Sequence, residues 1–306
     1  MTTKDKDSTE DKDSTEDKDS TEERGSTEDK GAYRFRASAK LTGRWEHFRF
    51  TTADGVATIT LDRPEKLNAL TFEAYADLRD LLLELPHHRD VRVVVIRGEG
   101  KGFCGGGDVN EIIGELITMD ARDLMRFTKM TGDVIRAMRE CPVPIISVIH
   151  GIAAGAGAVV ALASDFRVVG SEGRFAFLFT RVGLSGGDMG AAYLLPRVVG
   201  LGRATQLLML GDTIDAATAD RYGLVSELVA TDELDQRVSA LANRLATGPT
   251  LAFAQTKSLL TRELDMSLSS AMELDAMTQA LLMTTHDHAE FHAAFNERRP
   301  PRWEGR

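Results

Sequence analysis

The sequence of 306 residues predicts a layered α/β fold with a helical C-terminal region. Runs of β-branched residues at Val91–Ile96 and Ile145–Ile149 are typical of strands buried in a parallel sheet. Helical patterns separate these strands, and such an alternation of strand and helix favours an α/β architecture. After Leu184 the pattern changes, because the longer segments there all have the apolar spacing of helices.

The predicted elements follow one another with clear start signals. Trp45–Phe50 and Val56–Leu61 are predicted strands on either side of a turn that ends at Gly55. Thr71 is placed as the N-cap of an amphipathic helix that extends to Leu85. The other predicted helices and strands after Ile96 are Asp120–Glu140, Ile145–Ile149, Gly155–Leu162, Phe166–Val169, Met189–Leu195, Leu201–Leu210, Ala216–Tyr222, Asp232–Ala246, Thr250–Glu263 and Leu268–Arg298.

An acidic repeat occupies the N-terminus. The hexamer Asp-Lys-Asp-Ser-Thr-Glu occurs three times within residues 5–22, and a degenerate copy follows it. Residues 1–31 contain no Val, Ile, Leu, Phe or Trp, so they cannot bury a hydrophobic core. They carry 12 acidic and 6 basic residues, which is −6 of the formal net charge of −10. We therefore predict a disordered tail over 1–40, an α/β core over 41–230 and a helical region over 231–306 for oligomerisation or as a lid.

Composition excludes several classes of protein. Outside the repeat the chain is only mildly acidic, which gives no case for nucleic-acid binding. No apolar run approaches the ~20 residues of a membrane span, and no signal peptide is recognisable. The two cysteines, Cys104 and Cys141, suit a reducing compartment. We expect a soluble cytoplasmic protein without a membrane partner.

Two glycine-rich loops carry the strongest functional signal. Gly102–Asp108 and His150–Gly157 each follow a buried strand and lead into a predicted helix. Small residues at such junctions let backbone N–H groups approach a ligand closely. Two junctions of this kind can converge on one oxygen atom as an oxyanion hole, which indicates chemistry on a polarised carbonyl.

From about Trp45 to its end, the chain resembles the crotonase superfamily, the enoyl-CoA hydratase/isomerase group. The resemblance rests on motifs in family order: Ile59–Leu70, Gly102–Asp108, Gly151–Asp165, Phe175–Gly183, Leu194–Gly202, Gly211–Ala217 and Phe295–Gly305. It implies a crotonase-like spiral of ββα units, assembled as a homotrimer or a dimer of trimers. It also implies an acyl-CoA thioester as substrate, with no separate cofactor because CoA is part of the substrate.

The resemblance also implies roles for individual residues. The backbone N–H groups of Gly105 and Ala156 would hold the thioester oxygen. The residues expected to contact the substrate are Lys66, Leu67, Ala69, Phe103, Gly107, Asp108, Val109, Val159 and Phe179. A solvated surface lysine remains the alternative for Lys66, and Asp108 is expected to order its loop. Cys104 is expected to point into packing rather than to act as a nucleophile.

The chain differs from the family at the positions of the catalytic acids. The two glutamates that activate water in typical hydratases fall at Val159 and Phe179, and neither side chain can transfer a proton. Asp188, nine residues before Arg197, matches the acid of dienoyl-CoA isomerases and aryl-CoA dehalogenases. Desolvation in an apolar pocket should raise the pKa of Asp188 and suit it to proton transfer. The alternative is an N-cap for the helix predicted to begin at Met189.

Other titratable residues are weaker candidates. Glu111 and Glu115 follow the first loop and either assist the chemistry or lie on a solvated helix face. His150 is expected to be a hydrogen-bonded structural histidine, with a base as the alternative. The last predicted helix carries His286, His288 and His292. Spacings of 2 and 4 do not bring three imidazoles to one helix face, so no metal site is expected.

Three functions remain open. The first is an enzyme that isomerises or hydrates an enoyl- or aryl-CoA ester through an oxyanion-stabilised enolate, with Asp188 as the proton-transfer group. The second is an acyl-CoA hydrolase or dehalogenase with Asp188 as nucleophile. That branch needs a histidine base in the region of Thr131, where the sequence has none. The third is a non-catalytic acyl-CoA-binding protein, because both usual glutamates are absent.

Overall fold

The computed structural model describes residues 45–88 and 90–306, so the predicted tail at 1–40 lies outside the described residues. The strands of the described part are β1 (Arg49–Ala53), β2 (Val56–Leu61), β3 (Val93–Gly98), β4 (Ile145–Ile149), β5 (Ile152–Ala154), β6 (Phe166–Gly170), β7 (Arg174–Ala176), β8 (Thr213–Asp215) and β9 (Glu227–Val229). They form a six-stranded sheet in the order β1-β2-β3-β4-β6-β9 and a three-stranded sheet in the order β5-β7-β8.

Helices separate and cover these strands. They are α1 (Phe72–Glu84), α2 (Gly114–Leu116), α3 (Ala121–Glu140), α4 (Ala156–Ala163), α5 (Ala191–Val199), α6 (Leu201–Leu210), α7 (Ala216–Arg221), α8 (Leu234–Ala246), α9 (Thr250–Arg262), α10 (Leu268–Met283) and α11 (His286–Glu297). The predicted cap of α1 is confirmed, because the Thr71 side chain accepts a hydrogen bond from Ala74 N. The layered α/β core and the helical C-terminal region are confirmed as well.

The first two strands form a hairpin around a two-residue turn. Asp54 and Gly55 both have positive φ, at 50° and 80°, which is the geometry that favours Asp-Gly between paired strands. The predicted first strand began at Trp45, and this start is wrong. The rings of Trp45 and Phe48 stack at 5.7 Å ahead of the strand, and pairing with β2 begins at Arg49.

The central strands β3 and β4 of the large sheet are buried on both faces. Strands β2, β3, β4, β6 and β9 are parallel neighbours. Along β3, Val94 and Ile96 face the larger core with α1 and α3, whereas Val93 and Val95 face the side that α8 covers. This alternation explains why the strand has an almost continuous apolar sequence. It also brings the carboxyl ends of β3 and β4, where the two glycine-rich loops begin, to the same edge of the sheet.

Two predicted helix boundaries are wrong. The single helix predicted over Leu268–Arg298 is two helices, because the Thr285 hydroxyl accepts a hydrogen bond from His288 N at 3.3 Å and caps α11. The helix predicted from Met189 begins only at Ala191, after a short 3-10 turn.

The C-terminal helices expose much apolar surface. In α10, Thr278 is the only buried residue. The large apolar side chains of α10 and α11 that are more than half exposed are Leu268, Met272, Met277, Leu281, Met283, Phe291 and Phe295. Among the described residues no helix has the length and apolarity that crossing a membrane requires.

Candidate active site

A buried asparagine holds the first glycine-rich loop to the strand before it. Asn68 Nδ2 donates to the backbone oxygens of Glu99 and Gly102, both at 2.9 Å, and to that of Phe103 at 3.2 Å. Its Oδ1 accepts from the Arg63 N–H at 3.0 Å. One amide side chain therefore fixes the path of the backbone from the end of the strand into the loop.

The far end of the loop pairs with Leu70 in a short parallel bridge. Leu70 N donates to Gly106 O at 2.8 Å, and Asp108 N donates to Leu70 O at 2.9 Å. In a parallel bridge the residue between these two points its own N–H to the opposite side. That residue is Gly107, and no described residue accepts a hydrogen bond from its N–H. Gly107 thus presents a free donor away from Leu70.

Gly105 does not have a free donor, and its predicted role as an oxyanion donor is wrong. Its N–H donates to Leu67 O at 2.7 Å. The physical reason is alternation along the loop, since the Gly105 N–H faces Leu67, whereas the bridge between Gly107 and Leu70 turns the Gly107 N–H away. Gly107, expected only to contact the substrate, is therefore the candidate for the donor.

The second loop brings the other donor next to the first loop. Gly155 has a φ of 49°, and α4 starts at the following residue, Ala156. The N–H of a first helical residue has no partner within its helix, and Gly155 has no side chain to satisfy it. A Cβ atom on Gly106 would lie only 3.6 Å from Ala156 N, so the two loops are in contact. The second loop therefore places Ala156 N beside the first loop at Gly106, the residue before Gly107.

Phe103 and Cys104 anchor the first loop in the core. Both side chains are fully buried. Cys104 Sγ donates to Asn68 O at 3.2 Å, and burial raises the pKa of the thiol to about 12. A Cβ atom on Gly157 would lie 2.4 Å from Cys104 O, so only glycine permits this approach of α4 to the loop. The geometry gives Cys104 a packing role.

The two positions where hydratases carry glutamates are apolar and buried. Val159 is fully buried in α4, and Phe179 lies in the turn after β7 with almost no exposure. Neither can accept a proton, as expected from the sequence. Any acid of this site must come from another element.

Asp188 lies in a turn that packs against α3, α4 and α5. Its carboxyl is half-buried, and this burial raises its pKa, although a hydrogen bond from Met189 N to Oδ1 at 2.9 Å opposes the shift. Helix α5 begins at Ala191 with Gly190 as an N-cap that makes no side-chain bond. Asp188 therefore does not cap that helix, and the capping alternative is wrong. Met189 has a φ of 51°, a strained value for a residue with a side chain.

The loop expected to contact CoA is exposed at its tip. The side chains of Lys66 and Leu67 are exposed, and Ala69 is half-buried. Arg63 fixes this segment, because its Nη1 donates to Ala69 O at 2.8 Å. Leu67 has a φ of 50°, so tertiary contacts fix a conformation that its side chain disfavours.

Asp108 orders the helical turn that follows the first loop. Its buried carboxylate accepts hydrogen bonds from Glu111 N at 3.2 Å and Asn110 N at 3.0 Å, and these bonds together with Arg63 lower its pKa. Arg63 Nη2 lies 3.2 Å from Asp108 and 2.8 Å from the Glu111 carboxylate. Val109, between them, is largely exposed. Asp108 and Glu111 are thus both committed to Arg63.

The remaining candidates are an exposed glutamate and a histidine with a local partner. Glu115 is exposed, and His150 Nε2 lies 3.0 Å from Gly100 O in a local hydrogen bond. Within the described ranges, no group of three His, Cys, Asp or Glu side chains is arranged to hold a metal ion. Arg63 and Asn68 did not stand out as functional in the sequence, although both belong to the Ile59–Leu70 motif that carries the resemblance.

Comparison with known proteins agrees with this geometry. The model of the enoyl-CoA hydratase/isomerase family matches residues 51–306. Over 253 residues the chain is 33% identical to the 1,2-epoxyphenylacetyl-CoA isomerase of Escherichia coli K12, covering 82% of this chain and 96% of that protein. It is 35% identical over 260 residues to a Rhodobacter capsulatus protein assigned as an enoyl-CoA hydratase, covering 84% and 98% of the two chains.

Solved structures show the same fold. The crystal structure of a Streptomyces coelicolor A3(2) protein assigned as an enoyl-CoA hydratase superposes with a TM-score of 0.87 at 65% identity, covering 90% of this chain and 100% of that one. The family match extends over most of the chain, and the fold and the paired loops agree with it. The chain belongs to the enoyl-CoA hydratase/isomerase family of the crotonase superfamily.

Proposed function

We propose that this protein moves a double bond within an enoyl-CoA thioester, with Asp188 as the single proton-transfer group. The observation that carries the proposal is the state of Asp188, a half-buried carboxyl with a raised pKa that caps no helix. A carboxylate with an elevated pKa is a stronger base than an ordinary carboxylate, which suits Asp188 to accept a proton and then return it.

The proposed reaction has two proton steps and no net change in composition. The N–H groups of Gly107 and Ala156 bind the thioester oxygen. Asp188 removes a proton from the α-carbon, and the electron pair of that C–H bond forms an enolate that the two N–H groups stabilise. The protonated Asp188 then returns the proton at the γ-carbon as the double bond shifts. Removal of one oxyanion donor typically costs about 2.7–4 kcal/mol of transition-state stabilisation.

Isomerisation fits the apolar lining better than hydration does. Hydration needs a group that activates water and a group that protonates the α-carbon, and the usual carboxylates are replaced by Val159 and Phe179. The one-base shift needs only Asp188. The named activity of a Streptococcus mutans relative, a trans-2-decenoyl acyl-carrier-protein isomerase that is 29% identical over 257 residues, supports this choice because decenoyl is an enoyl group. Hydration assisted by Asp188 alone is the second candidate, supported by the relatives assigned as hydratases.

Two further alternatives rest on less. An aspartyl nucleophile that hydrolyses or dehalogenates its substrate would need a histidine base, and the segment of α3 around Thr131 has none. A non-catalytic acyl-CoA-binding protein would use the two donors without a proton step. Both are outcomes of the experiment below.

Hydrogen exchange into the substrate tests the proposal. The protein is incubated in deuterated water with 2-enoyl-, 3-enoyl- and dienoyl-CoA esters, and α- and γ-deuteration is followed by mass spectrometry. We expect exchange at both carbons, and its loss in Asp188→Asn but not in the control Asp235→Asn, an exposed aspartate paired with Arg97. Exchange that survives Asp188→Asn excludes Asp188 as the proton carrier.

The products separate the alternatives. A 3-hydroxyacyl-CoA product would indicate hydration, and free CoA would indicate hydrolysis. Tight binding of CoA esters without exchange or product would indicate a non-catalytic binding protein.

We also propose that the chain assembles as a homotrimer or a dimer of trimers. The exposed apolar side chains of α10 and α11 support this, because a monomer would leave them in water. Light scattering during chromatography gives the mass of the assembly. Leu281→Glu places a charge on this surface and is expected to dissociate it, whereas Glu273→Gln on the same helix is not.

A further inference from the structure

Helix α1 carries one polar atom into the space beside the oxyanion loop. Leu70 pairs with Gly107, and α1 begins just after Leu70, so its first turn lies over the loop. Tyr75 belongs to that turn. If Gly107 had a Cβ atom, that atom would lie 3.5 Å from Tyr75 Oη and 3.5 Å from Ile112 Cδ1. The hydroxyl therefore borders the space that the missing side chain of Gly107 leaves open.

The hydroxyl of Tyr75 has no hydrogen-bond partner. The residue is only 3% exposed, and no hydrogen-bond partner for Oη is found within residues 45–88 and 90–306. Its ring packs edge-on against Phe127, with centroids 6.0 Å apart, so packing accounts for the ring but not for the hydroxyl. The other large buried side chains of α1 are leucines. Within the described residues, Oη is not one of the fully buried polar atoms that lack a partner, so the small exposed fraction of Tyr75 must include this oxygen. A helix that needed only packing here would carry phenylalanine or leucine.

Tyr75 Oη lies beside the proposed donor Gly107 and within electrostatic range of the proposed acid Asp188. Burial raises the pKa of Tyr75 strongly, and the Cys104 and Asp188 side chains, when ionised, raise it further, so Tyr75 stays protonated. The hydroxyl is therefore a permanent donor. Asp188 is close enough to act on it electrostatically, while Gly107 is its direct neighbour. A substrate bound between Gly107 and Asp188 would pass this hydroxyl.

We propose that Tyr75 is a specificity-determining residue whose hydroxyl donates a hydrogen bond to an oxygen atom on the acyl group. The site would then prefer oxygen-bearing acyl-CoA esters, such as hydroxyacyl esters, over plain alkyl esters. The inference rests on the proposed function, because it needs an acyl-CoA ester in this site.

An oxygen of the acyl group fits better than the thioester oxygen itself. A carbonyl oxygen has two lone pairs, and the N–H groups of Gly107 and Ala156 occupy both. Once the substrate displaces water from this space, the Tyr75 hydroxyl is left without an acceptor unless the acyl group supplies one. Sites built to bind a polar substrate group discriminate against analogues that lack it, because the buried protein group stays unpaired.

Binding of unreactive saturated esters tests the inference. Calorimetric affinities are measured for hexanoyl-CoA and for its 3-, 4- and 5-hydroxy derivatives, with Tyr75→Phe and the control Tyr222→Phe. Tyr222 packs against Arg203 and Arg221 on another part of the surface. We expect at least one hydroxy ester to bind the unmodified protein more tightly than hexanoyl-CoA does. Tyr75→Phe should remove this preference, about 10- to 100-fold, and leave hexanoyl-CoA binding unchanged.

The outcomes separate this inference from the proposed function. Equal affinity for hexanoyl-CoA and all three hydroxy esters, or a preference that Tyr75→Phe leaves intact, overturns the role of Tyr75 alone. Equal weakening of all four esters by Tyr75→Phe also overturns it, because the hydroxyl would then bind a group that all of them share. Failure of every CoA ester to bind overturns the proposed function together with this inference. Thermal unfolding of Tyr75→Phe verifies that the variant is folded.

Discussion

The two glycine-rich loops and the turn at Asp188 hold their functional atoms by different means. The loops are fixed by the Asn68 side chain, by the bridge between Leu70 and Gly107, and by the close approach of Gly157 to Cys104. The turn has a half-buried carboxyl with one hydrogen bond, from the N–H of its own neighbour. The backbone contacts of the fold thus set the positions of the donors, whereas the acid depends on a single side chain. Changes in the loops should cost stability, and changes at Asp188 should cost activity.

The largest expected effect is the loss of activity in Asp188→Asn. The amide cannot accept the α-proton, and general acid–base catalysis contributes roughly 10²- to 10⁴-fold. We expect kcat/KM to fall by that factor in the exchange assay, while the urea midpoint of unfolding stays the same or rises. A large loss of stability would contradict this difference between the loops and the turn, because it would make Asp188 a structural residue.

A side chain at Gly157 should destabilise the loops. Gly157→Val places atoms where Cys104 O already lies 2.4 Å from an ideal Cβ position, and overpacking of this kind costs about 3 kcal/mol. The free energy of unfolding from urea titration measures the effect. The matched control is Gly202→Ala in α6, where no atom lies within 4 Å, and it should be neutral or stabilising by about 0.5 kcal/mol. Equal behaviour of the two variants would show that the loops can relax.

Truncation of Asn68 should have a somewhat smaller effect. Asn68→Ala leaves three backbone carbonyls without their donor, and we expect a loss of about 2 kcal/mol in the free energy of unfolding. Because the loop then loses its fixed path, kcat/KM should fall as well. Asn110→Ala, at an exposed position of the same region, is the control. Full activity in Asn68→Ala would mean that the Leu70 bridge alone positions Gly107.

The smallest expected effect is on the pH dependence of stability. Because the pKa of Asp188 is raised in the folded state, the folded protein binds more protons than the unfolded chain at intermediate pH. Relative to Asp188→Asn, the unmodified protein should therefore lose stability as pH rises from the ordinary carboxyl range through the raised pKa. Partial exposure keeps the difference below about 1 kcal/mol. Urea titrations of both proteins at pH 4 and pH 7 measure it, and an opposite sign would mean a lowered pKa.

Sequence patterns were sufficient where neighbouring residues decide the structure. Val56–Leu61 and Ile145–Ile149 are strands with the predicted bounds, and Thr71 caps α1 as predicted. The start of α11 could also have been predicted from the sequence, since Thr285 followed by Asp287 is a local signal for a helix start. The continuous apolar spacing of the region concealed it.

The sequence could not decide which glycine of the first loop donates. Gly105 and Gly107 differ only in their partners, Leu67 and Leu70, which lie more than thirty residues earlier in the chain. The cap predicted at Asp188 failed for a similar reason. Met189 adopts a positive φ that no local rule favours, and this displaces the helix start to Ala191. Both depend on tertiary contacts that override local preference.

Among the described residues no acceptor is found for the N–H groups of Gly107 and Ala156, so the hydrogen exchange of these two amides should be measurable. Amide protons exchange with deuterium slowly where they are hydrogen-bonded in a stable core, and faster where they are not. These two amides lie beside well-protected strands, so in the free protein they should exchange ahead of their neighbours. A bound thioester would slow both at once, which gives a readout of the proposed oxyanion hole that needs no turnover.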